Sequence, residues 1–434
     1  MRLIIVARSF DDEHIAAYRG YCGRGGSSIV SKPMTRIISK WGKPMYKATA
    51  GRALATTITG SLPRPSWFVS NLSGRSFLAT FARDPVYREQ YGDAVAALIA
   101  DQTRAGLDIL SDGEMRFDVD IGGRSWSTYI LDRMQGLEQR DPREIVRMDR
   151  GGTQRRVDMP GDILNESIRM SPLVVGPLAA GRLHYDAVWK TAQRLTSKPV
   201  KMGTCSAQHL DQQVPNRFHK DRNESIRAFS RALNEEYHRL ADAGCPVIQV
   251  EEPCLHNATG TKRELRPEDY VEALNMEVQG LRGKTEVWCH TCWGNPFAQR
   301  LAQVPSLKAV LPYMDQLDVD VLTFETADNG AEEIAEIGAA ISKDKKICIG
   351  VVRHRSLQVE TAEEVAALIR KALRHIEPER LVLSSDCGFG RQGMTRTHAF
   401  YKMVAIVKGA NIVRRELGLP EAPIAAADET YALT

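Results

Sequence analysis

A chain of 434 residues, 43% hydrophobic and 26% charged, has ordinary globular composition, enough for one large domain or two medium ones. The formal charge is only +4, and residues 1–44 hold eight basic against three acidic groups, so the rest lies near −1 and offers no basic excess for nucleic acid. No apolar run reaches the ~18 residues of a membrane span, and the eight cysteines lack small-domain disulfide spacing, so a reducing cytoplasm is expected.

Residues 1–44 are basic and loop-like around 24–28, but Asp11, Asp12 and Glu13 oppose a transit peptide. The segment is expected to be a disordered arm or an upstream-extended start, with Met45 an alternative initiator, and 45–434 to be one catalytic domain. From residue 54 short apolar runs alternate with amphipathic stretches. Strands are predicted over 55–59, 108–111, 200–203, 247–251, 286–290, 321–325, 347–351 and 381–385, and helices include 93–102, 224–243, 332–342, 362–375 and 397–417. Ala105-Gly106 and Ala243-Gly244 read as helix ends. Eight β/α repeats imply a closed (β/α)8 TIM barrel. Residues 117–195 form an insertion between its second and third strands, with a charged hairpin-like piece at 143–159 around Gly151-Gly152 and a further apolar run at 172–177. That insertion is expected to cap the barrel mouth. No Gly-rich phosphate fingerprint follows the first strand, against a dinucleotide-binding open sheet.

His290, Cys292, Glu325 and Cys387 each sit at or just past the end of an apolar run. Residues two apart in an extended segment project to one side, so His290 and Cys292 can reach one ion. Barrel enzymes gather their chemistry at the C-terminal ends of strands, where Glu325 and Cys387 also fall. Imidazole, carboxylate and two thiolates suit tetrahedral Zn2+ rather than magnesium or calcium. Such a site holds a substrate thiol as a thiolate, which points to alkyl transfer to sulfur.

These residues resemble the C-terminal catalytic barrel of cobalamin-independent methionine synthase and its short relatives. The resemblance is carried, in the family's order, by 56–61 with Pro63, 107–114, 247–253, His290-Thr291-Cys292, 323–325, 349–352 and 385–388, over about residues 54–417. It implies zinc ligation by His290, Cys292, Glu325 and Cys387. It also implies that Ser61, Glu114 and Glu251 bind the amino-acid part of homocysteine, which is methylated to methionine. The family's N-terminal half, which helps to bind polyglutamate folate, is absent, so the methyl donor is expected to be a folate or a methyl-corrinoid protein.

Two departures affect the pocket. Glu251 stands where the methionine synthases carry aspartate, and an added methylene moves a carboxylate by about 1 Å. Arg355 aligns with a histidine proposed to deliver a proton to the leaving folate, with His354 one residue earlier; both are candidate catalytic residues. Arg353 and Arg355 also suit an anionic ligand. An alternative is therefore an epoxyalkane–coenzyme M type of thiol transferase, acting on a sulfonate-bearing thiol. Another is a non-catalytic zinc- or thiol-binding barrel. A relationship to uroporphyrinogen decarboxylase, which shares the barrel without a metal, is opposed by the full ligand set. No nucleic-acid or membrane partner is expected, and the sequence is compatible with a homo-oligomer.

Overall fold

A computed structural model describes residues 46–68, 84–116, 124–139, 172–255, 265–295, 306–390 and 394–427. The arm at 1–44 and the hairpin-like piece at 143–159 lie outside these described residues.

Eight parallel strands make one curled sheet. In chain order they are β1 (Ala55–Thr56), β2 (Leu110–Ser111), β5 (Val200–Cys205), β6 (Val247–Glu251), β7 (Glu286–His290), β8 (Val321–Phe324), β9 (Lys346–Val352) and β10 (Leu381–Ser385). Their spatial order is β1-β10-β9-β8-β7-β6-β5-β2. The seam between β1 and β2 closes through Asp108 and Ile109, whose N–H groups both donate to Thr56 O at 3.0 Å. Across the same seam the Thr56 N–H donates to Asp108 Oδ2 at 2.8 Å, which is why the predicted second strand begins only at Leu110. The expected TIM barrel is the fold found.

The helices follow their capping chemistry. Asp84 accepts from the N–H groups of Val86 and Tyr87 at the start of α1 (Pro85–Ala105), and Gly106, at φ 91°, ends it. Between β2 and β5 come α2 (Arg124–Leu131), β3 (Gln135–Glu138), β4 (Leu173–Ala179) and α3 (Tyr185–Gln193). The barrel then continues through α4 (Ala207–Asp211), α5 (Arg222–Asp242), α6 (Pro267–Glu277), α7 (Leu311–Met314), α8 (Ile334–Ala340), α9 (Ala362–Leu373) and α10 (Arg396–Glu416). Thr361 and Glu364 form a capping box at the start of α9.

Among its described residues the insertion contains a two-stranded ribbon. The apolar run at 172–177 becomes β4 and pairs antiparallel with β3, at Leu137 with Val174 and Glu138 with Leu173. Tyr129 on α2 stacks on Tyr185 with ring centroids 5.9 Å apart, and the buried Arg116 guanidinium lies 5.7 Å from the Tyr185 ring centre. These contacts attach the inserted elements to the loop that follows β2.

The barrel interior is divided. Ala48, Ala55, Ile109, Val247, Trp288, Val321, Cys348 and Val382 form an apolar cluster of their own. Residues two positions later on several of these strands are polar, among them Gln249, His290, Thr323 and Ser384, all buried. Period-2 alternation thus turns an apolar floor into a polar upper chamber that opens at the strands' C-terminal ends.

Candidate metal centre and its surroundings

His290 is the last residue of β7 and Cys292 lies two beyond it; Glu325 directly follows β8; Cys387 lies two beyond β10. One donor atom from each of the four lies within 4.8 Å of the others. Cys292 Sγ is 3.7 Å from Cys387 Sγ and 3.2 Å from Glu325 Oε1. Metal–sulfur bonds of about 2.3 Å at tetrahedral angles put two thiolates about 3.8 Å apart, and a thiolate and a carboxylate oxygen about 3.6 Å apart. The observed spacings are within a few tenths of an ångström of that, so the residues fit one shared cation. The Cys387 sulfur, and then burial, push the Cys292 thiol well above its ordinary value. Burial likewise raises Glu325, with Arg355 acting against it. A cation at the focus reverses that preference, because it stabilises the ionised form of every donor.

A supporting layer holds the donors. Asn295 Nδ2 donates to Cys387 Sγ at 3.6 Å and to Gly388 O at 3.2 Å, and the Trp293 N–H donates to Glu325 Oε1 at 3.3 Å. Arg355 Nη1 donates to Glu325 Oε2 and to Asp328 Oδ2, both at 2.9 Å, while its Nη2 donates to Gly294 O at 2.7 Å. Buried Asp386 accepts from the N–H groups of Thr326, Ala327 and Asp328 at 2.7–2.9 Å, which fixes the loop leaving β8. Asn295, Asp328 and Asp386 were not singled out from sequence. The position of Asp386 directly before Cys387 was the available signal.

The two acids expected at the substrate side are both buried. Glu251 ends β6, and its Oε2 lies 3.7 Å from His290 Nε2. Glu114 sits in the left-handed region at φ 55°, directly after Gly113 at φ 68°, and its N–H donates to Asp112 Oδ1 at 3.0 Å. A non-glycine residue held there stores on the order of 1 kcal/mol of backbone strain. Its carboxylate occupies space that glycine leaves open: a Cβ at Gly203 would stand 2.5 Å from Glu114 Oε1. Gly203 is the cross-strand partner of Gln249, so Glu114 meets the wall that carries Glu251.

Ser61, after β1, is joined to the Cys387 loop, since its carbonyl accepts from the N–H groups of Phe389 and Gly390 at 2.8 and 3.0 Å. The approach requires glycines on both sides. A Cβ at Gly60 would lie 2.9 Å from Gly388 Cα, and one at Gly388 would lie 2.5 Å from Ser61 N. His354 is fully buried. Arg353 is tied to Glu360, whose Oε1 accepts from the Arg353 N–H at 2.9 Å and from its Nε at 3.3 Å. Lys402 on α10 donates to the other oxygen of Glu360 at 2.8 Å.

Among the described residues no helix is long and apolar enough to cross a membrane. A profile of the family described as cobalamin-independent synthase, catalytic domain, matches residues 158–410. The chain is 28% identical over 368 residues to a methionine synthase of Saccharolobus islandicus (strain Y.G.57.14), covering 84% of this chain and 96% of that one. It is 27% identical over 365 residues to a methionine synthase of Sulfurisphaera tokodaii, covering 84% and 94%. In fold it resembles a B12-independent methionine synthase from Shewanella sp. W3-18-1 solved with selenomethionine, with a TM-score of 0.65, 24% identity, and coverage of 84% of this chain and 99% of that one.

Proposed function

The chain belongs to the family of cobalamin-independent synthase catalytic domains, and from that premise we propose that it is a zinc-dependent S-methyltransferase that converts homocysteine to methionine with a methylfolate as donor. The observation that carries this reading is the four-donor cluster at the ends of β7, β8 and β10, with buried Glu251 3.7 Å from His290. His290, Cys292, Glu325 and Cys387 would hold the zinc. When bound, zinc acts as a Lewis acid that lowers the pKa of the substrate thiol, so that a nucleophile is available at neutral pH without a general base.

The remaining work falls to the chain. Glu114 and Glu251 are buried acids at the substrate side, where they would face the α-ammonium of homocysteine. Ser61, packed against the Cys387 loop, is the candidate hydroxyl for the substrate carboxylate. Arg355 fixes Glu325 in place through a two-nitrogen clamp, which suits a positioning role better than proton delivery by an arginine that stays charged. His354 is the remaining proton donor on that loop. Burial of the donors keeps bulk water from competing with the incoming sulfur.

The sulfonate-bearing thiol of the coenzyme M alternative needs a cation for its far end. Arg353 and Arg355 are already engaged, by Glu360 and by Glu325 with Asp328, which supports an amine-bearing thiol instead. The test compares homocysteine with mercaptoethane sulfonate as acceptor, and methylfolate with a methyl-corrinoid protein as donor. Zinc near one per chain and methionine formation are expected, both lost in His290→Ala. Undiminished homocysteine methylation by metal-free protein would refute the reading.

A further inference from the structure

Directly below the two carboxylates the barrel interior holds a lysine. Lys201 on β5 is 2% exposed. Its Nζ donates to Gln249 Oε1 at 2.8 Å and stands 5.2 Å from the Trp288 ring centre. Gln249 in turn donates through Nε2 to Glu251 Oε1 at 2.5 Å, leaving Oε2 on the His290 side. An ammonium group can only donate, so it turns the amide oxygen of Gln249 toward itself and the NH2 group toward Glu251. The order of donors along this chain therefore has one sense, from cation to carboxylate.

The placement is unusual for a structural lysine. Its direct acceptor is an amide, and its neighbour Trp288 belongs to the apolar floor, where an aliphatic side chain would pack at lower cost. Burial lowers Lys201 to about 8, with Cys348, Glu251 and Glu114 acting against that shift, so it stays largely charged at neutral pH. Two of those three opposing groups are the acids assigned to the substrate ammonium.

We propose that Lys201, acting through Gln249, is a positioning residue that orients the Glu251 carboxylate, and thereby sets the preference of the site for a thiol that carries an amine. The proposal rests on the amino-acid reading of Glu114 and Glu251. It makes a specific demand: the lysine matters only for the part of the substrate that Glu251 touches.

Steady-state kinetics and calorimetric titration with L-homocysteine and with its desamino analogue 4-mercaptobutyrate test this. The proteins are wild type, Lys201→Met, Gln249→Met and the double variant, all zinc-loaded. For homocysteine, KM and Kd rise about tenfold in each single variant, a loss of about 1.4 kcal/mol, and the double variant is no worse than either single one. For 4-mercaptobutyrate they change by less than about twofold, because the missing amine removes the contact being tuned. Zinc content stays at the wild-type level, and kcat falls less than KM rises. Equal losses with both thiols, no loss with either, or additive losses in the double variant overturn the proposal. Should Lys201→Met not fold, Gln249→Met gives the same contrast with the cation retained. A wild-type enzyme that binds 4-mercaptobutyrate as tightly as homocysteine refutes the amino-acid reading itself, a result visible before any variant is made.

Discussion

Replacing Arg355 by glutamine removes a cation that touches Glu325, a proposed metal ligand. The Arg355 side chain is 10% exposed and that of Glu325 2%, so the pair is shielded from solvent. At an effective dielectric near 20 a pair of unit charges about 4 Å apart interacts by about 4 kcal/mol, and loss of one partner of a buried pair commonly costs about 3–5 kcal/mol. Not all of this reaches the metal. Arg355 is shared with Asp328, which is 22% exposed and offers a more hydrated contact, and its charge also opposes the incoming cation. What remains is orientation of the carboxylate, for which outer partners of metal ligands are typically worth about 10–100-fold in affinity, about 1.4–2.7 kcal/mol. Arg355→Gln is therefore expected to bind zinc 10- to 100-fold more weakly, on the scale typical of such partners. Arg355→Lys recovers little of this, because one ammonium cannot reproduce the fork that serves Glu325, Asp328 and Gly294 O together. Competition with a calibrated chelator at fixed pH gives the affinity, and circular dichroism confirms the fold. A folded Arg355→Gln protein with wild-type or tighter zinc affinity would refute the assignment of Arg355 as the group that holds Glu325.

Other outcomes follow from close approaches and buried acids. Gly203→Ala puts a Cβ 2.5 Å from Glu114 Oε1, so KM for homocysteine is expected to rise about tenfold with zinc content retained; an unchanged KM would remove Glu114 from the pocket. Gly60→Ala forces a Cβ to 2.9 Å from Gly388 at φ 69°, and denaturant melts should show a loss of about 1–3 kcal/mol together with weaker zinc binding. Burial raises Glu277 from 4.5 to about 8, while Tyr237 and the Ala207 N–H donate to its carboxyl at 2.8 and 2.9 Å. Because the folded state holds this proton more tightly, its stabilising contribution is complete below 4.5 and disappears as pH rises through about 8. Melts between pH 5 and 9 should therefore show stability falling with pH by up to about 1.4 kcal/mol per unit, and Glu277→Gln should flatten the slope; an unaltered slope contradicts the buried-acid assignment.

The barrel and the residues that gather in the four-donor cluster were legible because both depend on local order. Each ligand follows a short apolar run, and that geometry alone delivers it to the mouth. Helix ends marked by Gly106 and Gly244 were legible for the same reason: only glycine adopts their backbone cheaply. What escaped were residues whose role depends on a distant partner. Lys201 near the start of an apolar run reads as a strand-edge charge until Gln249 and Glu251 are placed above it. Arg355 could be aligned with a histidine, yet its task is set by Glu325, thirty positions away. The β3–β4 ribbon was read only in part, since its second strand stood out as the apolar run at 172–177 while its first gave no such signal. The pairing joins 135–138 to 173–179, a separation too long for the period of either strand to signal.

The interlock of Gly60 with Gly388 couples the start of the barrel to the loop that carries Cys387, the last of the four candidate donors. All four candidate metal donors lie downstream of residue 289, and a fragment lacking β1 would retain every one of them. It would nevertheless loosen the grip of the Ser61 carbonyl on Phe389 and Gly390, a contact that holds the Cys387 loop beside that of Asn295. By the proposed assignment, the shape of the metal cluster would therefore depend in part on the meeting of the first and last strands.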